Sequence, residues 1–431
     1  LLGSPPRAED LRALELVTQG NAHRVVETLN GGLVPGPLAA TLGSTLPASL
    51  EAELVRRVGA LGEDERHLLE LLAIFGTSVP WALAMRLADG LPDAPALRLS
   101  TLDEALATRL IGPDERTGHL RFLHPVVPAA VLRDVPPVRL ARLHGRAGEL
   151  LAEDGTQRHA AARIARHFVA AAILPEYAAR AVPAATLAGY EAELAEAHNA
   201  AADHYREALD ALSAVAGDAR DVPSRRAELL IALGHALAVE RPADAEDALG
   251  RAESIGAMRR ETDPAWSARV LALAVIVRCE RLPPRTAPEC RSLLARGEAA
   301  LDRVGPDDRV LRARLASALT PLLRFETDRS RAWQQARDAL RAADEAGDAT
   351  ARGRALEAHH WALLDTPAAD ERLGVASEIL RSAEATGDLR LAADARTWRY
   401  LDLLEIGRIE PAEAELVAIE AAAESLGEPR R

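Results

Sequence analysis

Three stretches decide the fold: Leu106-Ala-Thr-Arg-Leu-Ile-Gly-Pro-Asp-Glu115, Leu120-Arg-Phe-Leu-His-Pro-Val-Val-Pro-Ala-Ala-Val-Leu132 and Leu140-Ala-Arg-Leu-His-Gly-Arg-Ala-Gly-Glu-Leu-Leu151. A helix ends, two short apolar runs flank a Pro-Asp-Glu-Arg-Thr-Gly turn, and a histidine stands where the hairpin gives way to a new helix. Upstream, Leu50, Leu54, Val58 and Leu61 recur at helical spacing, as do Leu68, Leu69, Leu72 and Phe75. Glu63 and Asp64 suit the start of that second helix, Pro80 the first turn of a third, and Ser100 or Thr101 the cap of a fourth. Helices followed by one two-stranded hairpin give a winged-helix domain over 46–135.

From 136 to 431 the pattern is helical throughout, and it repeats. Ala342-Ala-Asp-Glu-Ala-Gly-Asp348 and Ser382-Ala-Glu-Ala-Thr-Gly-Asp388 both close a helix with glycine, and Gly256, Gly305 and Gly427 read as stops of the same kind. First helices of pairs are expected near Arg225, Ala265, Asp308, Thr350 and Leu389, and second helices near Pro242, Pro288, Arg329, Ala369 and Pro411. The period of roughly 40 residues exceeds the 34 of a standard tetratricopeptide unit. The fold class is therefore all-α: a winged-helix domain followed by a tetratricopeptide-like helix-pair solenoid, with almost no strand outside the wing. Gly and Pro interrupt the pattern too often for a coiled coil. Residues 1–45 hold a helix over Arg7–Val17, a second over His23–Leu29 and the start of a Gly/Pro-rich linker running to Pro47.

Composition excludes several functions. Of 431 residues 48% are hydrophobic but only 3% aromatic, so Ala and Leu must fill the core. All 52 basic residues are arginine, which suits a GC-rich, for example actinobacterial, genome and leaves no P-loop lysine. A net charge of −13 opposes phosphate neutralisation, so DNA binding is expected only through a domain outside this chain. Two cysteines, Cys279 and Cys290, suit a reducing compartment. No apolar run reaches the roughly 18 residues of a membrane span. With Leu1 in place of Met and no signal-peptide pattern, the expectation is an internal fragment of a cytoplasmic protein. His-Glu-x-x-His, Cys-x-x-Cys, Gly-x-Ser-x-Gly and Gly-x-x-x-x-Gly-Lys are all missing. Neighbouring His359 and His360 cannot face one site on a helix, so no metal and no catalytic residue is expected.

The order of these parts resembles the central and C-terminal portion of large ATP-binding LuxR-type regulators, maltose-regulator-like members of the signal-transduction ATPases with numerous domains. The resemblance is detailed over residues 1 to about 210 and architectural beyond. It implies that Gly20 and Asn21, in Gln19-Gly-Asn-Ala22, form the lid turn beside the adenine, although Ala22 stands where the family has proline. It implies that His124, in Phe122-Leu-His-Pro125, reaches the β-phosphate of ADP in the resting state, with Pro125 replacing an acidic residue. An imidazole suits that task as donor and as cation. Each has a plain alternative: a helix connector for Gly20-Asn21, and a backbone-bonded wing-end histidine for His124. ATP or ADP would belong to the full-length protein and no cofactor to this segment.

Trp266, Trp361 and Trp398 fall in first helices, where solenoids present a concave face. With Arg269, Arg278, Arg312 and Arg399 they make a candidate surface for an effector or partner; the competing reading has the tryptophans as filler and the arginines paired with carboxylates. The expected function is the sensor and switch segment of a transcriptional regulator, with self-association on activation implied by the resemblance. Rival readings are a free-standing repeat scaffold, the regulatory part of a cyclase or kinase, and a winged helix that reads DNA directly. Asp103 and Glu104 on the fourth helix oppose the last.

Overall fold

The computed structural model describes residues 56–426 apart from 77, 90–98, 115–116, 125, 155–160, 216–220, 285, 324–329 and 365. The expected helices before residue 48, with Gly20 and Asn21, lie outside the described residues, as do Leu50 and Leu54. The chain divides into two compact units, Leu1–Tyr177 and Ala178–Arg431.

In the first unit, α1 (Glu63–Phe75) is the central element. Three acidic residues in its first turn complement the helix dipole, and residues 68–75 are buried without a break. That run includes Glu70, whose carboxylate is ion-paired with Arg139 at 3.1 Å. A short strand β1 (Ser78–Val79) leads into α2 (Trp81–Asp89), then α3 (Leu99–Ala107), β2 (Ile111–Pro113), β3 (Leu120–Phe122) and α4 (Val126–Arg133). The hairpin β2–β3 pairs antiparallel with Ile111 opposite Phe122. Leu120 and Phe122 point into the core and Arg121 out to solvent, as strand alternation requires. Gly118, at φ 69°, closes the turn through its N–H to the Asp114 carbonyl at 2.8 Å.

The sheet has one strand more than the sequence suggested. β1 adds to the outer edge of β3, with Val79 opposite Leu120, giving the order β1-β3-β2. Two residues are too few to show an alternating pattern. Two further helices, α5 (Pro137–Asp154) and α6 (Ala161–Ala170), pack on each other, and α5 also packs on α1 and α2. The sequence reading places both at the start of the array; by contact they belong to this unit.

The second unit contains most of α7 (Pro175–Leu194), then α8 (His198–Ala214) and five helix pairs. The first helices are α9 (Asp221–Leu237), α11 (Pro264–Arg281), α13 (Arg309–Leu323), α15 (Ala349–Leu363) and α17 (Leu389–Glu405). The second helices are α10 (Pro242–Met258), α12 (Ala287–Leu301), α14 (Ser330–Ala346), α16 (Ala369–Thr386) and α18 (Ile409–Leu426). These boundaries match the expected starts to within a few residues. The unit is all-helical among its described residues, a helix-pair solenoid.

The Gly-Asp repeats explain the regularity. Gly347 and Gly387 take left-handed backbones, at φ 66° and 71°, just past α14 and α16. The adjoining Asp348 and Asp388 then cap the next helices, accepting from the N–H of Ala351 at 2.7 Å and of Leu391 at 2.9 Å. Gly256 and Gly305 do otherwise. Gly256 lies inside α10, where a Cβ would sit 3.2 Å from Val270, and Gly305 lies in the connector after α12 without a left-handed backbone. Buried alanines such as Ala343 and Ala383 let the helices approach closely, in keeping with a core that Ala and Leu must fill.

Among the described residues the first helices pack on one another, α9 on α11, α11 on α13 and α13 on α15, whereas neither α15 with α17 nor any two second helices make a comparable contact. A layer that is tight on one side and open on the other curves toward the tight side.

Candidate groove along the first helices

Curvature brings distant repeats together. Adjacent packed helices lie about 9 Å apart, so α9 and α17 would be separated by roughly 36 Å in a flat stack. Instead His235 of α9 and Arg390 and Asp394 of α17 line a single cavity of about 450 Å³. The helices between them contribute Cys279 and Arg281 from α11, Ser317 and Pro321 from α13, and Arg354, Glu357 and Trp361 from α15. A second space of about 820 Å³ shares Glu280, Arg281, Pro283 and Arg390 with the first, so the two form one continuous trough.

The chemistry of its walls is specific. Arg281 donates through Nε to Nε2 of His235 at 3.0 Å. A guanidinium only donates, so Nε2 accepts and the ring proton sits on Nδ1, which donates to Glu193 Oε1 at 2.9 Å. Tyr205 donates to the other oxygen of Glu193 at 3.1 Å. Burial, and the Glu193 carboxylate beside it, push the Tyr205 hydroxyl well above its ordinary range. Burial lowers Arg281, and the like charges of Arg390 and Arg354 add to the effect, while the carboxylates of Glu280 and Glu193 oppose it. Arg354 is held by Glu357 at 3.0 Å; burial raises the Glu357 carboxyl while Arg354 opposes it. The Cys279 thiol in the wall is pushed up by burial to about 12, so it stays protonated and unreactive. Pro321 has no N–H to give the Ser317 carbonyl four residues back, which leaves that acceptor without its usual helical donor on the same wall.

The residues singled out in the sequence scatter across this unit. Trp361 lines the cavity and is half-buried. Trp398 stacks on His360 with ring centroids 5.1 Å apart, and Trp266 sits at the start of α11 under the Arg259 guanidinium, 4.8 Å from its ring centre. Arg269 pairs with Asp308 at 2.7 Å, and Arg399 with Glu415 at 2.7 Å. Arg278 is held by Glu246 and Glu253, and Arg312 donates to the Leu301 and Val304 carbonyls at the end of α12. Of the arginines the sequence indicated, Arg278 lines the second space, with Arg296; the cations of the first space, Arg281, Arg354 and Arg390, were not among them. Arg278 and Arg281 lie one turn apart on one face of α11 and both line the trough, but Arg278 is held there by Glu246 and Glu253.

In the first unit, His124 lies half-buried between β3 and α4, its carbonyl accepting from Val127 at 3.1 Å. That is the hairpin-to-helix junction the sequence indicated. No cluster of three or more His, Cys, Asp or Glu residues that could hold a metal occurs among the described residues, and none of the described helices is long and apolar enough to cross a membrane.

No family model matches the chain, and no curated protein matches it. Among solved structures it is similar to a signal-transduction ATPase with numerous domains and a tetratricopeptide repeat sensor from Pyrococcus horikoshii, at 14% identity and a TM-score of 0.40, over 97% of this chain and 67% of that one.

Proposed function

We propose that this chain is the sensor and switch segment of a cytoplasmic bacterial transcriptional regulator of the LuxR type, and that it does no chemistry itself. The observation that carries the reading is the single cavity shared by first helices as far apart in sequence as α9 and α17. In a repeat array each unit touches mainly its neighbours, so stability is a sum of local terms. A ligand seated across several repeats couples them directly and favours the curled arrangement in which its contacts exist. That differential affinity is what shifts a two-state equilibrium.

On this reading the array binds an effector or a partner, and the α1–β3 region acts as the winged helix that passes occupancy to an ATPase module in the full-length protein. The element order helix, strand, two helices and hairpin supports the winged-helix assignment. ATP or ADP is bound by that module, with His124 reaching the nucleotide phosphate and Gly20-Asn21 near the base. DNA is contacted by a separate C-terminal helix-turn-helix, and activation proceeds through self-association.

Two measurements test this. Calorimetry on the full-length protein and on this segment should show micromolar ATP affinity in the former alone, because a phosphate cradle needs a glycine-rich loop and a lysine. Tight ATP binding by the segment overturns the division of labour. The gene should encode a phosphate-binding loop upstream and a helix-turn-helix downstream; a gene without the loop favours a free-standing repeat scaffold instead.

A further inference from the structure

The charges lining the trough are not all spoken for. Arg354 is satisfied by Glu357. Arg281 spends its Nε donor on His235, a neutral acceptor, and its terminal nitrogens meet no carboxylate among the described residues. Arg390, exposed on the first turn of α17, is held by no carboxylate there either. The two guanidinium groups stand close enough that Arg390 depresses Arg281. Other arginines of this unit, such as Arg269, Arg278, Arg372 and Arg399, are each bound to acidic side chains. Like charges left beside each other at the mouth of a cavity are unfavourable in the empty protein and favourable once an anion lies between them.

The rest of the cavity limits what that anion belongs to. Glu280, Glu357 and Asp394 lie on the same walls, so a polyanion would meet as much repulsion as attraction. Trp361, Pro321, Ala318 and Ala358 supply an apolar surface. The cavity around Trp361, about 450 Å³, falls within the range of small-molecule sites and opens into the adjoining space of about 820 Å³.

We propose that this groove takes a compact ligand with a single carboxylate or phosphate head held between Arg281 and Arg390, a planar apolar body against Trp361, and hydroxyl or amino donors facing Glu357 and Asp394. The proposal rests on the reading of the array as the ligand-taking part, and names the ligand class. His235 is the positioning residue: held by Glu193, it fixes the direction in which the Arg281 guanidinium points.

The test is calorimetry on the 431-residue chain with four probes: phenyl phosphate, 3-(4-hydroxyphenyl)propionate, the corresponding uncharged propionamide, and hexaglutamate. One or both small anions should bind, weaken as NaCl is raised, and change tryptophan emission in the parent but not in Trp361→Phe. Which of the two binds separates a phosphate from a carboxylate head. Arg390→Gln, an exposed change that leaves the core intact, should weaken binding at least tenfold, while Arg269→Gln, outside the groove, should leave it unchanged. Equal affinity for the propionamide, unchanged affinity in Arg390→Gln, or no heat from either small anion overturns the proposal. Binding of hexaglutamate alone overturns it in favour of an acidic peptide. The ATP measurement on the full-length protein does not depend on any of these results, so the two readings fail separately.

Discussion

The Nδ1 atoms of His144 and His167 lie 3.0 Å apart, joining α5 to α6. One ring must donate and the other accept, so the accepting ring must be neutral. Burial depresses the pair to about 4 for His144 and about 3 for His167; Arg166 adds to the first, and the His144 charge followed by Arg166 to the second. Phe75 packs edge-on to His167, at 5.9 Å between ring centres, tying the pair to α1.

The pH dependence follows from the sign of those shifts. In the unfolded chain both rings titrate near 6.5, so below that pH the unfolded state binds protons that the folded state refuses. Stability is full above about pH 6.5 and falls with decreasing pH until the folded values near 4 and 3 are passed. With allowance for solvent around the half-buried His144, the loss between pH 7 and pH 5 is about 2 kcal/mol. Calorimetric scans should show the transition of the first unit moving down over that range, and His144→Gln should flatten the movement. An unchanged slope in His144→Gln would mean that other groups govern it.

Much of this architecture is legible in the sequence, for reasons that particular residues make plain. Gly347-Asp348 and Gly387-Asp388 announce a helix stop and a helix start in adjacent positions, and the structure uses them so. Backbone propensity is local, hence readable. The trough is not local: its walls bring together His235, Arg281, Arg354 and Arg390 from four different first helices, a juxtaposition that no short window of sequence encodes. Aromatic content is a partial guide, since Trp361 reaches the cavity while Trp266 and Trp398 pack elsewhere in the array. β1 escaped notice because its pairing is specified by β3, not by its own two residues.

Glycines in α16 and just beyond it should respond in opposite directions. Gly374 is exposed inside the helix, and a Cβ there meets nothing within 4 Å. Gly374→Ala should therefore stabilise the array by about 0.5–1 kcal/mol through helix propensity. Gly387 has φ 71°, where an L side chain is strained, so Gly387→Ala should cost about 1 kcal/mol. Urea midpoints of the two variants on either side of the parent would bear this out; shifts of the same sign would not.

Asp402 binds two partners at once. It accepts from Arg372 Nε at 2.9 Å and lies 2.9 Å from His360 Nε2, all three residues being buried. Arg372 also reaches Glu405 and the Thr366 carbonyl, so the network joins α15, α16 and α17. Asp402→Ala strands a buried guanidinium with only part of its anionic partnership, at a cost of about 3 kcal/mol. Replacing both members, as Asp402→Leu with Arg372→Met, removes the stranded charge and should recover most of that loss. Because repeat arrays do not unfold as one unit, the readout is amide exchange within α15–α17. Equal damage in the single and double variants would show that packing, not charge, sets the cost.

The switch proposed for the full-length protein can be tested at one residue. His124 stands at the hairpin-to-helix junction, and Phe122-Leu-His124 resembles the position from which a regulatory histidine reaches the nucleotide phosphate. If it holds the ADP-bound resting state through one charge-assisted hydrogen bond, His124→Ala should cost that state about 1.5–3 kcal/mol. Each 1.4 kcal/mol is a factor of ten in a two-state equilibrium, so reporter transcription without effector should rise roughly tenfold or more. The variant should also bind ADP more weakly by a similar factor, which a purely structural histidine would not produce. His124→Ala removes no buried core volume, because the residue is half-buried at a loop-helix junction, so a folded variant is expected. Basal transcription equal to the parent, with unchanged ADP affinity, would assign His124 to the backbone turn that its carbonyl makes with Val127.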